Sequence, residues 1–268
     1  MLGSSTVYKK AMLLIIVGMV AGVFWFWVEP WVVSPVKFAN AGVWIKPLVM
    51  LCILTACVGL ALLLVKNKLL RLAVSGLVAL PFFFIFGYNH YYILALFIML
   101  LAHLRAVKQI HIQEEGRVRV DIKEIMNHGL PAVITPILIM ISFAFFLSPG
   151  VQGAAKQGQL PPTTYQVVSQ VVGTFLGSEF EALPVSERKR VEAQLIDDVI
   201  KKFNQVLGPY FVFLPPVLAF GLFLILQGLS FIFVWLGTLV AMVLFWVLKR
   251  AGFIRLKMVQ KEAEELEF

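Results

Sequence analysis

The sequence predicts an all-α integral membrane protein: a bundle of about seven transmembrane helices, six being the alternative, with a small helical extramembrane region and a short cytoplasmic β-hairpin. Composition, long uncharged runs and the placement of Lys and Arg carry this reading. Of 268 residues, 60% are hydrophobic and only 14% charged, and the mean hydropathy is +0.89. Soluble domains carry roughly 25% charged residues. In water, this composition would leave large apolar patches exposed, which soluble monomers rarely tolerate.

Residues 11–28, 47–65, 72–104, 125–155 and 203–248 contain no Lys, Arg, Asp or Glu. One crossing of about 30 Å of hydrocarbon takes roughly 20 apolar residues. The first two runs fit one span each. Residues 72–104 fit two, hinged at Gly87-Tyr88-Asn89-His90, and 131–148 fit one that starts at Pro131, a tolerated first-turn position. Residues 203–248 fit two, turning near Gln227-Gly228-Leu229-Ser230. The chain divides accordingly into a four-span region (1–104), a cytoplasmic amphipathic hairpin with a short helix (105–130), a fifth span (131–148), an extracytoplasmic helical cap (149–208), a two-span hairpin (209–249) and a charged tail (250–268).

Lys9-Lys10 ahead of an apolar run resembles a signal peptide, and Ala39-Asn40-Ala41 offers a cleavage pattern. The run outlasts a signal core of about 7–15 residues, so it is expected to stay as an anchor. Lys9 and Lys10 before this helix and Glu29 after it favour a cytoplasmic N-terminus in a cell membrane. Lys66, Lys68, Arg71, Arg105, Lys108, Arg117, Arg119 and Lys123 then fall inside. Trp25, Trp27, Trp31, Trp44, Tyr88, Tyr91 and Tyr92 fall outside, as an aromatic belt at the headgroups. The tail breaks the pattern. Seven crossings put Lys249, Arg250, Arg255, Lys257 and Lys261 outside, against the positive-inside tendency. Six crossings with both termini inside remove the conflict, 72–86 and 209–228 being the segments to demote.

In 105–130, Ile110 and Ile112 alternate with polar residues, as do Val118, Val120 and Ile122 after Gln113-Glu114-Glu115-Gly116, which predicts the hairpin. Asp121 and Glu124 form a capping pair for a brief helix, ended at Gly129–Pro131. In 149–208, Pro149–Thr164 reads as loop and 165–176 as a helix. Ser186 opens a helix to about Val206, with Val191, Leu195, Ile196, Val199, Ile200, Phe203 and Val206 at three- and four-residue intervals. Six acids face six bases across 149–208, so nothing marks an anionic-ligand site. Both segments are candidate docking sites for a membrane-protein partner, or else lie on the leaflet and on the bundle.

No catalytic, cofactor-binding or metal-ligating residue is assigned, and no cofactor. Nucleotide and metalloprotease signatures are absent. The net charge of +8 marks lipid headgroups rather than nucleic acid, because the bases flank spans. No ionisable residue falls mid-span, since His90, His103 and Glu29 are expected near interfaces; this disfavours ion pumping and intramembrane proteolysis. His90 beside Tyr88, Tyr91 and Tyr92 is the one suggestive cluster, a general base in a lipid-modifying enzyme or simply an interfacial anchor. His103, His111 and His128 lack metal-like spacing. Cys52 and Cys57, five apart on one helix, point about 140° apart and cannot bridge within it. Gly18-x-x-x-Gly22 is a helix-packing motif. Pro81, Pro136, Pro215 and Pro216 are expected to kink helices. Three functions remain: a non-enzymatic scaffold or subunit of a membrane complex; a carrier or channel for a neutral or lipidic substrate, lined by Thr55, Ser75, Thr135 and Ser142; and an interfacial lipid-modifying enzyme around His90.

Overall fold

The computed structural model describes residues 2–33, 41–115, 121–157 and 185–254. In order these form α1 (Leu2–Val33), α2 (Ala41–Leu64), α3 (Lys68–Phe86), α4 (His90–Glu115), α5 (Ile122–Phe146), α6 (Pro149–Gln157) and α7 (Val185–Leu207). A 3-10 turn (Gly208–Phe213) then leads into α8 (Leu214–Gly228) and α9 (Ser230–Arg250). Seven segments are long and apolar enough to cross a bilayer: Val7–Val33, Trp44–Leu64, Leu69–Phe86, His90–Ile112, Ile122–Phe146, Tyr210–Gly228 and Ser230–Arg250. This is the helical bundle of a multi-pass membrane protein. In hydrocarbon only a helix or a closed barrel satisfies its own backbone, and the ends need local partners. Asn67 Oδ1 accepts from Leu69 N–H at 2.9 Å to open α3. Gly87, at φ +79°, closes it with its N–H on Phe83 O at 3.0 Å. Asn89 Oδ1 accepts from Tyr91 N–H at 3.0 Å as α4 begins, so the hinge at 87–90 lies where the sequence puts it.

The β-hairpin is not formed. No strand occurs among the described residues, and α4 continues through Ile110 and Ile112 to Glu115. His103, Ala106 and Ile110 are buried at helical spacing while Ile112 is exposed. Two alternating isoleucines were too short a pattern to separate period 2 from the edge of a helical stripe. Val118 and Val120 lie outside the described residues. Asp121 does cap, its Oδ1 accepting from Glu124 N–H at 3.3 Å, but the helix does not stop at Gly129–Pro131. It runs through Pro131 and Pro136 to Phe146, because Ile125, Met126 and Leu130 are fully buried in the core. Residues 149–157, expected as loop, are helical. The helix expected at 165–176 lies outside the described residues, whereas the one expected from Ser186 to Val206 is α7.

At the centre, α2 packs on α1, α3, α4, α5 and α9, and α5 packs on α1, α2, α4, α6, α8 and α9. Close approach is set by three glycines. A Cβ on Gly59 would lie 2.8 Å from Leu130 Cδ2; on Gly129, 2.5 Å from Ile110 Cγ1; on Gly237, 3.2 Å from both Leu130 Cδ1 and Thr55 Oγ1. Gly18 and Gly22 do not play this part: a Cβ on Gly18 would meet Leu77 at an ordinary 3.5 Å, and one on Gly22 would meet nothing within 4 Å. Trp25 also leaves the expected belt. It is fully buried, its Nε1 donates to Val78 O at 2.8 Å, and it packs edge-on against Phe24, Phe82 and Phe86. Trp31 is buried against Trp44.

The last two helices do not form the expected hairpin. Pro216, Ala219 and Phe223 of α8 line one groove with Phe146, Phe143 and Ile139 of α5, and Thr135 Oγ1 lies 3.4 Å from Gln227 Oε1. Further toward the start of α5, Gly237 meets Leu130 and Thr238 Oγ1 donates to Asn127 Oδ1 at 2.9 Å. Both α8 and α9 therefore descend along α5 in one direction. Leu229 between them keeps helical-region angles, φ −84° and ψ −4°, so the chain bends rather than reverses. The end of α9 reaches the start of α1, where Lys9 Nζ donates to Gly252 O at 3.0 Å and Phe253 O at 3.1 Å.

Gly129→Ala is expected to destabilise the bundle by about 1–3 kcal/mol, the usual cost of overpacking, because the buried Ile110 has to move. Gly22→Ala is expected to be tolerated. Thermal unfolding of both variants in one detergent checks the difference.

Candidate functional site

The strongest concentration of chemistry is a cavity of about 360 Å³ between α3 and α4, at the end of the bundle that holds the start of α1. Lys66, Arg71 and Ser75 line one wall, and His103, Lys108 and His111 the other, with Val107 and the exposed Leu72 and Leu104 beside them. Helical spacing assembles it. Arg71 and Ser75 are one turn apart on α3, while His103, Val107 and His111 form an i, i+4, i+8 stripe on α4. Among the described residues its lining contains no Asp or Glu. Arg71 is only 8% exposed, and its Nε is held by the carbonyl of Val65, just before α3. His103 is 1% exposed, with Nδ1 3.1 Å from Met99 O and Nε2 buried without a hydrogen-bond partner. His103 was expected near an interface; the span that holds it runs on to Ile112, and the ring is interior.

At the opposite end a larger groove, about 510 Å³, lies between α4, α5 and α8. Leu94, Ile139, Phe143, Phe146, Phe220 and Phe223 dominate it. Its hydroxyl at Ser142 is spent on Leu138 O, at 2.9 Å. Such a surface can hold acyl chains and offers no reactive group.

The hydroxyls expected to line one transport path are dispersed. Ser75 lies in the basic cavity and Ser142 in the apolar groove. Thr135 lies in a third cavity, between α4 and α5, and donates to Pro131 O at 2.9 Å. Thr55 is fully buried and donates to Cys52 O at 3.1 Å. The exposed His90 ring meets the edge of Tyr88 at 5.8 Å, the geometry of an interfacial anchor. His128 Nδ1 lies 2.9 Å from Glu124 O of its own helix. Among the described residues no three His, Cys, Asp or Glu side chains are grouped to hold a metal ion. Cys52 and Cys57 are free thiols.

Sequence reasoning named every base of the α3–α4 cavity but treated them as span flanks. The available signal was the pair of stripes, 71/75 and 103/107/111, which acquires meaning only once α3 and α4 are known to face each other there.

Thr238→Val removes the hydrogen bond that ties α9 to α5. Side-chain hydrogen bonds between membrane helices contribute about 0.6 kcal/mol on average and up to about 1.7 kcal/mol. This one is expected toward the upper end because Thr238 is buried; a denaturant titration of the reconstituted protein measures it. No family model, curated protein or solved structure matches this chain.

Proposed function

We propose that this chain is a non-enzymatic subunit or scaffold of a membrane complex, with the face of α7 as its docking element. One observation carries the reading. Ile200 of α7 is buried, and the helix packs on the 3-10 turn, yet Val191, Leu195, Phe203 and Val206 stay exposed, Phe203 by 50% and Val206 by 69%. An amphipathic helix outside hydrocarbon leaves such a stripe uncovered only at a cost in free energy. From Arg190 onward, α7 carries three bases and three acids. Helices that lie on anionic leaflets are instead enriched in Lys and Arg, so a protein partner fits better than the lipid surface.

The directions of α8 and α9 support six crossings: five by α1 to α5, and one by the bent pair α8–α9. The basic ends of α1, α4 and α9 then lie together, and positive-inside reasoning makes that side cytoplasmic. The α4–α5 connection faces the cytoplasm with both termini, and 149–208 face outward.

Two measurements test these readings. In a background lacking Cys52 and Cys57, an impermeant thiol reagent applied from outside should label Lys156→Cys but neither Lys123→Cys nor Ala251→Cys. Labelling of Ala251→Cys together with Lys156→Cys would restore a seventh crossing. Purified in mild detergent, the protein should retain a partner at fixed stoichiometry. The double substitution Leu195→Glu/Phe203→Glu should release that partner while leaving the bundle's thermal midpoint unchanged. A lone wild-type monomer, with Phe203→Cys freely labelled from water in native membranes, sinks the docking reading.

A further inference from the structure

We infer that the α3–α4 cavity is a binding site for a phosphodiester that carries a free hydroxyl, the chemistry of a polyol-bearing anionic phospholipid headgroup. This inference is independent of what α7 binds. Three observations converge on it.

The first is charge. Arg71, Lys66 and Lys108 line one cavity, with no carboxylate in the lining among the described residues, and Arg71 is almost wholly buried. A buried guanidinium is stabilised by an anion, and its planar fork matches phosphate oxygens two at a time. With Nε on the Val65 carbonyl, the terminal nitrogens supply the fork.

The second is the lone acceptor. Met99 O can only accept, so His103 Nδ1 carries the proton in their 3.1 Å contact. Burial beside Arg71, Lys66 and Lys108 disfavours a further positive charge, so the ring is neutral and Nε2 is a lone pair, buried without a hydrogen-bond partner among the described residues in the wall of the cavity. A bare phosphodiester has no hydrogen to give it. A ligand with both a phosphodiester and a hydroxyl satisfies the cations and the acceptor together.

The third is place and size. The cavity lies at the level of Lys9 and Lys10, at the end of the bundle where α9 ends, and it opens beside the exposed, apolar Leu72 and Leu104. A molecule bound there has its polar part among cations and its apolar part along two helices. At about 360 Å³ it falls within the roughly 300–1,000 Å³ of ordinary ligand sites.

The test is native mass spectrometry of the detergent-solubilised protein, titrated separately with phosphatidylglycerol, phosphatidylmethanol and phosphatidylcholine. Phosphatidylmethanol keeps the anionic phosphodiester and lacks the headgroup hydroxyl. One phosphatidylglycerol should be retained at least about thirtyfold more tightly than phosphatidylcholine, an effect of the size expected from two or three headgroup-level cations at about 1 kcal/mol each. It should exceed phosphatidylmethanol by about fivefold, one hydrogen bond's worth. Lys108 is exposed, so Lys108→Gln will fold; it should weaken phosphatidylglycerol about fivefold, and Arg71→Gln more. Lys123→Gln, a base outside the cavity, should change nothing. In His103→Phe the two anionic lipids should become equal. Displacement of bound lipid by millimolar glycerophosphoglycerol would assign the same site to a soluble polyol phosphodiester. Equal retention of phosphatidylcholine, or equal weakening by Lys123→Gln and Lys108→Gln, overturns the site. Equal retention of phosphatidylglycerol and phosphatidylmethanol by the wild type overturns the role given to the hydroxyl.

Discussion

A helix in lipid gains almost nothing by burying leucine against leucine, because the acyl chains it leaves behind are equally apolar. What holds such a bundle is close backbone approach and the few polar groups that can cross between helices. Here both converge on α5. Gly129 admits Ile110 of α4, Leu130 fits against Gly59 of α2 and Gly237 of α9, and Asn127 accepts from Thr238. The single stretch of α5 from Met126 to Leu130, about one and a half turns, therefore fixes the separation of α2, α4 and α9 at once. Pro131 follows immediately and lacks an N–H. The carbonyl of Asn127 so loses its usual intrahelical donor at the residue whose side chain anchors α9.

That anchoring also decides how the C-terminal pair runs. The helical stretch 214–250 is 37 residues long and about 55 Å at 1.5 Å per residue, well beyond about 30 Å of hydrocarbon. A straight rod would leave apolar surface outside the lipid at both ends. At Leu229 the ladder tightens, with Ile232 N–H on Leu229 O at 3.0 Å, and the register along α5 shifts where Gln227 meets Thr135 and Gly237 meets Leu130. The bend lets α8 follow the outer half of α5 while α9 crosses to α2.

The uncharged runs and their hinge at 87–90 were legible because hydrocarbon thickness is a one-dimensional constraint that a sequence displays directly. Direction is not. A run of 46 uncharged residues from 203 to 248 is equally compatible with a hairpin or with one bent rod, and hydropathy counts both as two helices. The local evidence at 227–230 already leaned toward the rod: Gln-Gly-Leu-Ser has a single glycine and none of the Pro, Asn or Asp that usually turns a chain. The 105–115 segment was misread for the opposite reason, since a two-residue alternation was weighed above the four-residue spacing of Ala106 and Ile110. The basic cavity was invisible in principle, because its two walls are 28 residues or more apart in sequence and neither stripe is unusual alone.

Once direction is known, the charges that resisted a consistent assignment fall into one arrangement. Lys9 reaches the carbonyls that close α9, a helix whose last turn carries Lys249 and Arg250. Lys66 follows α2, Arg71 opens α3, and Lys108 and His111 lie in the last turns of α4. Each is at the same end of the bundle. Cations at a helix C-terminus are favourable toward the dipole, which suits Lys249 and Arg250 in the last turn of α9; Arg71 lies instead in the first turn of α3 and Lys9 two turns into α1. For Lys9 the compensation is visible, in two backbone carbonyls and the face of Phe253 at 5.3 Å. For Arg71, among the described residues, Val65 O answers on one of its three nitrogens. A buried cation at the positive end of a helix, satisfied on one side alone, is the feature of this fold that most requires a negative charge from elsewhere.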